Sequence, residues 1–374
     1  MNGASSSPAS TGPGDQLRER RAAIAADLVH RQFAANPALQ ERYGPAGRAK
    51  CLEDAHFHLS YLADAMNAGA PVIFSNYVAW ASVMLTKRGI PSEDLARHLG
   101  FTRDALLAGL DARPAALAVE YLSSAIDSLQ ALPSELPTCI PFEGPHAVLA
   151  RTYLAALLAG DRRSASQLVL DAVASGLSVR DVYLHIFQPA QREVGRLWQL
   201  NEISVGQEHY CTAATQLIMS QLYPQICAAD KTGGSLVATC VSGDLHEIGL
   251  RMVADFCELD GWTTFYLGAS TPAQSVVDTV IQRRASVLAI SATTAPHLGA
   301  VRDLIQRIRA TPACADVKVI VGGSPFVVMP DLWRLMGADG SALDAAGAAA
   351  LVRRLTTARA AGSDAAPPDA PSQP

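Results

Sequence analysis

Two periodicities divide the chain. From residue 15 to about 132, apolar residues recur at three- and four-residue spacing, which predicts helices throughout, with stops at Gly69 to Pro71 and Gly89 to Pro91. A Pro-containing link follows, from Leu132 through Pro133, Pro137 and Pro141 to Pro145. Helical spacing returns over 146–229, where turn signals at Gly160-Asp161, Gly176-Leu177 and Asn201 cut the block into about four helices. Beyond 230 the period changes. Ser235 to Val241, Thr263 to Leu267, Ser286 to Ile290 and Val317 to Val321 are short runs rich in Val, Ile or aromatic residues, and helical segments separate them. That alternation predicts a doubly wound parallel sheet with crossover helices over 230–358. Residues 1–14 and 359–374 are rich in Ser, Pro, Ala, Gly or Asp and offer little to bury, so both ends are expected to be disordered.

Composition narrows the function classes. The 374 residues suffice for two or three domains, and 49% hydrophobic with 17% charged residues is ordinary for a soluble chain. Net charge is −5, no long Lys/Arg run occurs, and residues 15–132 hold no basic recognition helix, so direct nucleic-acid binding and adhesion to an anionic membrane are disfavoured. The seven cysteines are scattered without a Cys-x-x-Cys pair, against a zinc site or a disulfide framework. Neither a signal peptide nor an 18-residue apolar run is visible, and a cytoplasmic location is expected.

The chemistry-bearing stretch is Asp244-Leu245-His246-Glu247-Ile248-Gly249, directly after the first strand run. Ligands of doubly wound folds bind beyond the carboxyl ends of the strands. There an imidazole can coordinate a metal while a carboxylate two residues earlier holds the other ring nitrogen. Alone, such a His reads equally as a solvated or capping loop residue. It is not alone: 41 residues separate Gly249 from Ser291-Ala292-Thr293, and 28 separate Thr293 from Gly322-Gly323. The set resembles the cobalamin-binding domain shared by methionine synthase, corrinoid methyltransferases, some mutases and cobalamin photoreceptors. The resemblance implies a flavodoxin-like fold and His246 as the lower axial cobalt ligand, backed by Asp244. It also implies that Gly249, Ser291, Thr293, Gly322 and Gly323 line the path of the displaced nucleotide tail.

In the preceding helical block, nine residues separate Trp198 from Glu208-His209. This is similar to the four-helix cap of light-sensing transcription factors that use adenosylcobalamin, in which the motif shapes the adenosyl pocket. An indole can pack on the corrin edge or nucleoside, and the carboxylate and imidazole can meet its polar groups. The plain alternative is bundle core for Trp198 and surface charge for Glu208. The photoreceptors carry a His after this Trp; here it is Gln199, a poor cobalt ligand, which leaves His185, His209 or water as candidates for the upper position.

Nearer the N-terminus, Cys51-Leu52-Glu53-Asp54 followed by Leu59, Tyr61, Ala65, Gly69 and Gly89-Ile90-Pro91 resembles the globin-like domain of phycobiliproteins. The resemblance implies a bilin such as biliverdin, with Cys51 as a possible tether, Asp54 at the pyrrole nitrogens, Lys50 and Arg48 at the propionates, and His58 nearby. Glu53 departs from the Arg usual in that family. Buried cysteine and structural histidines remain the alternative reading.

A globin-like helical domain (15–132), a linker (133–145), a four-helix cap (146–229) and a cobalamin domain together resemble the photocobilins. The chain is thus expected to be a light sensor rather than an enzyme. It would hold adenosylcobalamin and a bilin, and signal through cap movement and a light-dependent homo-oligomer to an unidentified downstream protein. A corrinoid carrier of a methyltransferase system is the rival, and a cobalamin-binding module without photochemistry is a third possibility.

Overall fold

The structure, a computed structural model, describes residues 12–129, 136–231 and 234–363, with side chains through Thr357. The start of the expected linker, at 133–135, and the expected disordered ends over 1–11 and 364–374 lie outside these residues. Contacts gather the chain into two compact units, residues 1–139 with 193–208 and residues 140–192 with 209–374.

The first unit is built from α1 (Asp15–Ala35), α2 (Ala38–Ala68), α3 (Pro71–Lys87), α4 (Ser92–Gly109) and α5 (Ala112–Leu129). The punctuation follows the sequence. Gly69 adopts φ 64° and turns its N–H onto the last carbonyls of α2, and Pro71 then opens α3 where its missing N–H has no cost. Inside α2 the helix kinks at Gly44 (φ 62°), just before Pro45. Helix α1 packs on α2 and α4, and α3 on α5. Leu17, Leu28, Leu59, Leu62, Met66, Phe74 and Leu99 are fully buried among them.

The second unit opens with helices α6 (Ala147–Leu158), α7 (Arg162–Ala174) and α8 (Val179–Val182). Helix α8 runs through a π turn over Tyr183–Phe187 into α9 (Gln188–Gln199). After a left-handed residue at Asn201 come α10 (Val205–Gln221) and α11 (Tyr223–Ile226). The unit boundary crosses α9 and α10, so residues 193–208 of the expected cap gather with the N-terminal helices instead.

The sheet follows: β1 (Ser235–Cys240), α12 (Ile248–Leu259), β2 (Thr263–Tyr266), α13 (Ala273–Gln282), β3 (Val287–Ser291), α14 (Leu298–Ala310), β4 (Lys318–Gly322), α15 (Ser324–Val328), α16 (Leu332–Met336), β5 (Gly340–Ser341) and α17 (Ala345–Ser363). All pairings are parallel, in the order β2-β1-β3-β4-β5, the flavodoxin-like arrangement whose switch point lies between β1 and β3. Two boundaries move from expectation. Residues 359–363 extend α17 rather than a disordered tail. Gly12 and Gly14 are held by amide hydrogen bonds of 2.7 Å to Asp15 and Asn67.

Candidate functional site

Register assembles the site. Cys240 lies opposite Ser291 and Ser291 opposite Gly322, so the ends of β1, β3 and β4 form one row from which three loops leave. These are the loops carrying Asp244 to Gly249, Thr293, and Gly323.

Asp244 is completely buried at the switch point. Its Oδ1 accepts the His246 amide at 3.0 Å and faces His246 Nδ1 at 2.9 Å. Its Oδ2 accepts the Thr293 amide at 2.6 Å, with His297 Nδ1 at 3.6 Å. Burial alone would raise this carboxyl. Hydrogen bonds from the His246 and His297 rings and the His246 and Thr293 amides outweigh it and hold Asp244 well below the usual carboxylate range. The His246 side chain, by contrast, is 64% exposed. With Nδ1 committed to Asp244, coordination falls to Nε2, the carboxylate–imidazole arrangement that metal ligation favours.

The rest of the row suits a large ligand's backbone-hugging tail. A Cβ on Gly249 would meet no protein atom within 4 Å, and one on Gly322 none nearer than Ala342 O at 3.7 Å. Internal packing therefore does not require glycine at either position, and the space lies open to an external group. Gly323 differs: at φ 110° its Cβ would collide with the Ala292 carbonyl, so it is needed for the turn itself. Ser291 and Thr293 are half-buried along the same edge.

The part of α10 from His209 onward is tied to this edge within the second unit. Gln216 Nε2 donates to Glu247 Oε1 at 2.7 Å, Tyr266 Oη donates to Glu247 Oε2 at 2.9 Å, and Arg251 reaches Gln216 O at 3.2 Å and Ser220 Oγ at 2.9 Å. At the π turn, Tyr183 Oη donates to Asp255 at 2.7 Å, and desolvation pushes Asp255 up to about 6.

Trp198 and Glu208 belong to the N-terminal unit and His209 to the other, so the unit boundary runs through the motif. Glu208 sits half-buried in the first turn of α10, whose start is fixed by a reciprocal cap: the Ser204 hydroxyl accepts from Gln207 N, and Gln207 Oε1 accepts from Ser204 N at 3.0 Å. His209 is exposed, and so is His185, whose ring stacks on His146 at 5.1 Å. Gln199 is buried, and its amide donates to Trp80 O at 3.1 Å.

The four residues of the bilin expectation share α2. Lys50 pairs with Glu53 at 2.7 Å on the exposed side. Cys51 is half-buried, facing Gln32 Oε1 at 3.5 Å and His98 Nδ1 at 3.9 Å. Burial, together with the Asp54 charge, pushes its thiol up to about 11, away from a reactive thiolate. Asp54 is partly buried, and desolvation raises its carboxyl. His58 turns inward to Tyr77 Oη at 2.9 Å and packs edge-on against His98 at 5.2 Å.

Sequence reasoning missed His297, Trp80 and Arg88. A signal for the first existed in Thr294-Ala295-Pro296-His297, a proline-opened turn straight after β3. No grouping of three or more His, Cys, Asp or Glu suited to a metal ion occurs among the described residues. No described helix is long and apolar enough to cross a membrane.

Known proteins resemble both the sheet domain and the helices before it. Residues 234–352 match a B12 binding domain model, and residues 149–223 match a second model of that description. Monomethylamine corrinoid protein 1 of Methanosarcina mazei is 26% identical over 201 residues, 52% of this chain and 91% of that protein. The HTH-type transcriptional repressor CarA of Myxococcus xanthus is 30% identical over 155 residues, 41% of this chain and 51% of the repressor. The solved structure of the Methanosarcina barkeri monomethylamine corrinoid protein superposes with a TM-score of 0.51 at 23% identity, over 56% of this chain and 99% of that one. The chain therefore carries a B12-binding sheet domain with its helical cap, homologous to corrinoid proteins and to the repressor CarA.

Proposed function

We propose that this protein is a light sensor that holds adenosylcobalamin on its sheet domain, with His246 Nε2 as the lower cobalt ligand. The observation that carries the reading is the exposed His246 ring fixed by fully buried Asp244 at the switch point. Adenosylcobalamin, when bound, supplies a cobalt–carbon bond that visible light cleaves. The chain's own part is to orient the ligand imidazole through Asp244, to leave bare backbone at Gly249 and Gly322 for the nucleotide tail, and to present Trp198, Glu208 and His209 to the adenosyl group. Gln199 is engaged with Trp80 O, so His185, His209 or water would be the candidates to meet the cobalt on that side once the adenosyl group is gone. Loss of the adenosyl contacts frees the cap to move, and a changed homo-oligomer passes the signal to a partner protein.

Trp198 with Glu208 and His209 separates this reading from a corrinoid carrier, which has no use for an adenosyl pocket. Absorption spectra of the reconstituted protein before and after green light test it. The sensor binds adenosylcobalamin in darkness and changes spectrum irreversibly with release of a 5′-deoxyadenosyl product. A preference for methylcobalamin, with methyl transfer to a thiol and no light response, would establish the carrier.

A globin-like, bilin-holding role for the first unit draws its support from Asp54, whose partly buried carboxyl lies near Tyr77, and from the stacked rings of Tyr61 and Tyr77 at 3.6 Å. The raised Cys51 thiol favours a non-covalent bilin. Coexpression with a biliverdin source followed by acid denaturation decides it: pigment that separates from the chain fits, and a colourless protein removes the bilin from the account.

A further inference from the structure

We infer that Arg88, together with Trp80 and Gln199, positions Trp198 and so makes the choice of upper group on the cofactor answer to the N-terminal helical unit. The inference rests on the reading of Trp198 as a wall of the adenosyl pocket. The contacts themselves are independent of that reading and all lie inside the first compact unit.

Trp198 and Gln199 end α9, where carbonyls run short of helical partners, and the Asn201 amide meets Trp198 O at 3.0 Å. Arg88, the C-cap of α3, adds a charged donor to both: Nη1 donates to Gln199 O and Nη2 to Trp198 O, each at 3.1 Å. Nη1 also reaches Met84 O at 3.1 Å, so one cation joins the negative ends of two helices. The same guanidinium stands over the Trp198 indole at 5.1 Å. The Trp80 ring packs near-parallel to that indole, with centroids 6.0 Å apart. Buried Gln199 then donates to Trp80 O, locking the residue after the indole to the residue against it. Backbone and ring of Trp198 are thus both fixed by α3 and its cap, more than 100 residues away in sequence.

Trp80 is also the outer member of a row that continues inward to Tyr77 at 6.4 Å and Tyr61 beyond it, with Tyr77 bonded to His58. A ligand or partner that shifts this row shifts the indole. Coupling of this kind is reciprocal: if the helical unit sets the indole, the group bound against the indole must restrain the helical unit equally.

Two measurements on the full chain test this. Binding of adenosylcobalamin and methylcobalamin is compared for the wild type, Arg88→Ala, Arg88→Lys and Trp80→Ala. Loss of the charged hydrogen bonds and ring contact should cut the preference for the adenosyl form by roughly 10-fold in Arg88→Ala. Arg88→Lys, which keeps the charge but not the two-pronged contact, should lie between. Affinity for methylcobalamin should hardly change. In the unaltered protein, adenosylcobalamin but not methylcobalamin should slow amide exchange over the end of α3, residues 82–90, a readout independent of any variant's folding. Unchanged selectivity in the variants with no exchange difference at α3 overturns the inference. A wild type with no preference for the adenosyl form is a different failure, seen before any substitution, and sinks the reading of Trp198 on which the inference rests.

Discussion

The two units use histidine in opposite ways. In the sheet unit His246 stands on the surface, its ring held by a carboxylate that is itself fully buried. In the helical unit His58 and His98 are buried against each other, and desolvation drives them down to about 3 and about 4, so both are neutral. An exposed imidazole with a buried, charged orienting partner is arranged to meet something outside the protein. A buried imidazole with a tyrosine or an amide for company is arranged to complete a core. The residue type is the same, and what differs is whether burial falls on the ring or on its partner.

The contrast can be broken most forcefully with acid. For His58 and His98 the folded values lie below the unfolded value near 6.5, so stability is intact above that value and is lost as pH falls toward the folded values. Between pH 6.5 and 5 the pair should remove about 3 kcal/mol from the helical unit, because both rings stay neutral when folded while the unfolded rings take up protons. Asp255 acts in the other direction. Its folded value of about 6 lies above the unfolded one, so its penalty is complete above pH 6 and relieved as pH drops toward 4. Urea unfolding at pH 6.5 and 5, followed peptide by peptide by amide exchange, should show the helical unit weakening and no matching loss in the sheet unit. Equal losses in both would contradict the contrast.

Asp255→Asn is the next largest effect. It removes a buried charge while keeping an acceptor for Tyr183 Oη, and should stabilise the sheet unit at pH 8 by about 2 kcal/mol. At pH 4 the gain should vanish, which calorimetry at the two pH values checks. Smaller in energy but closer to function is Asp244→Asn, which leaves His246 in place with a weaker orienting partner. Cobalamin affinity should fall ~10- to 100-fold.

Much of the sheet unit is legible in the sequence, because Val- and Ile-rich runs fix the strands and register then forces Asp244, Ser291 and Gly322 to one edge. The two-residue β5, Gly340–Ser341, carries no such run and escapes notice. The cap's division is hidden for another reason. Helical spacing over 188–199 says that α9 is a helix, but not that its last turn packs with α3, because the contacts that decide this, Arg88 to Trp198 and Gln199 to Trp80, join distant segments. His58 illustrates the same limit, since its spacing from Cys51 and Asp54 marks a helix face but not that the ring turns inward to Tyr77.

The most direct test of the central claim is the identity of the nitrogen beneath the cobalt. The full chain is produced with 15N-labelled histidine, loaded with unlabelled cobalamin, reduced to the cobalt(II) state and measured by electron paramagnetic resonance. If His246 is the lower ligand, the nitrogen superhyperfine splitting should change from a triplet to a doublet pattern on labelling, and His246→Ala should abolish the change. A triplet that persists in the labelled wild type would show that the cofactor's own base occupies the position, and the account of Asp244 and His246 would fall.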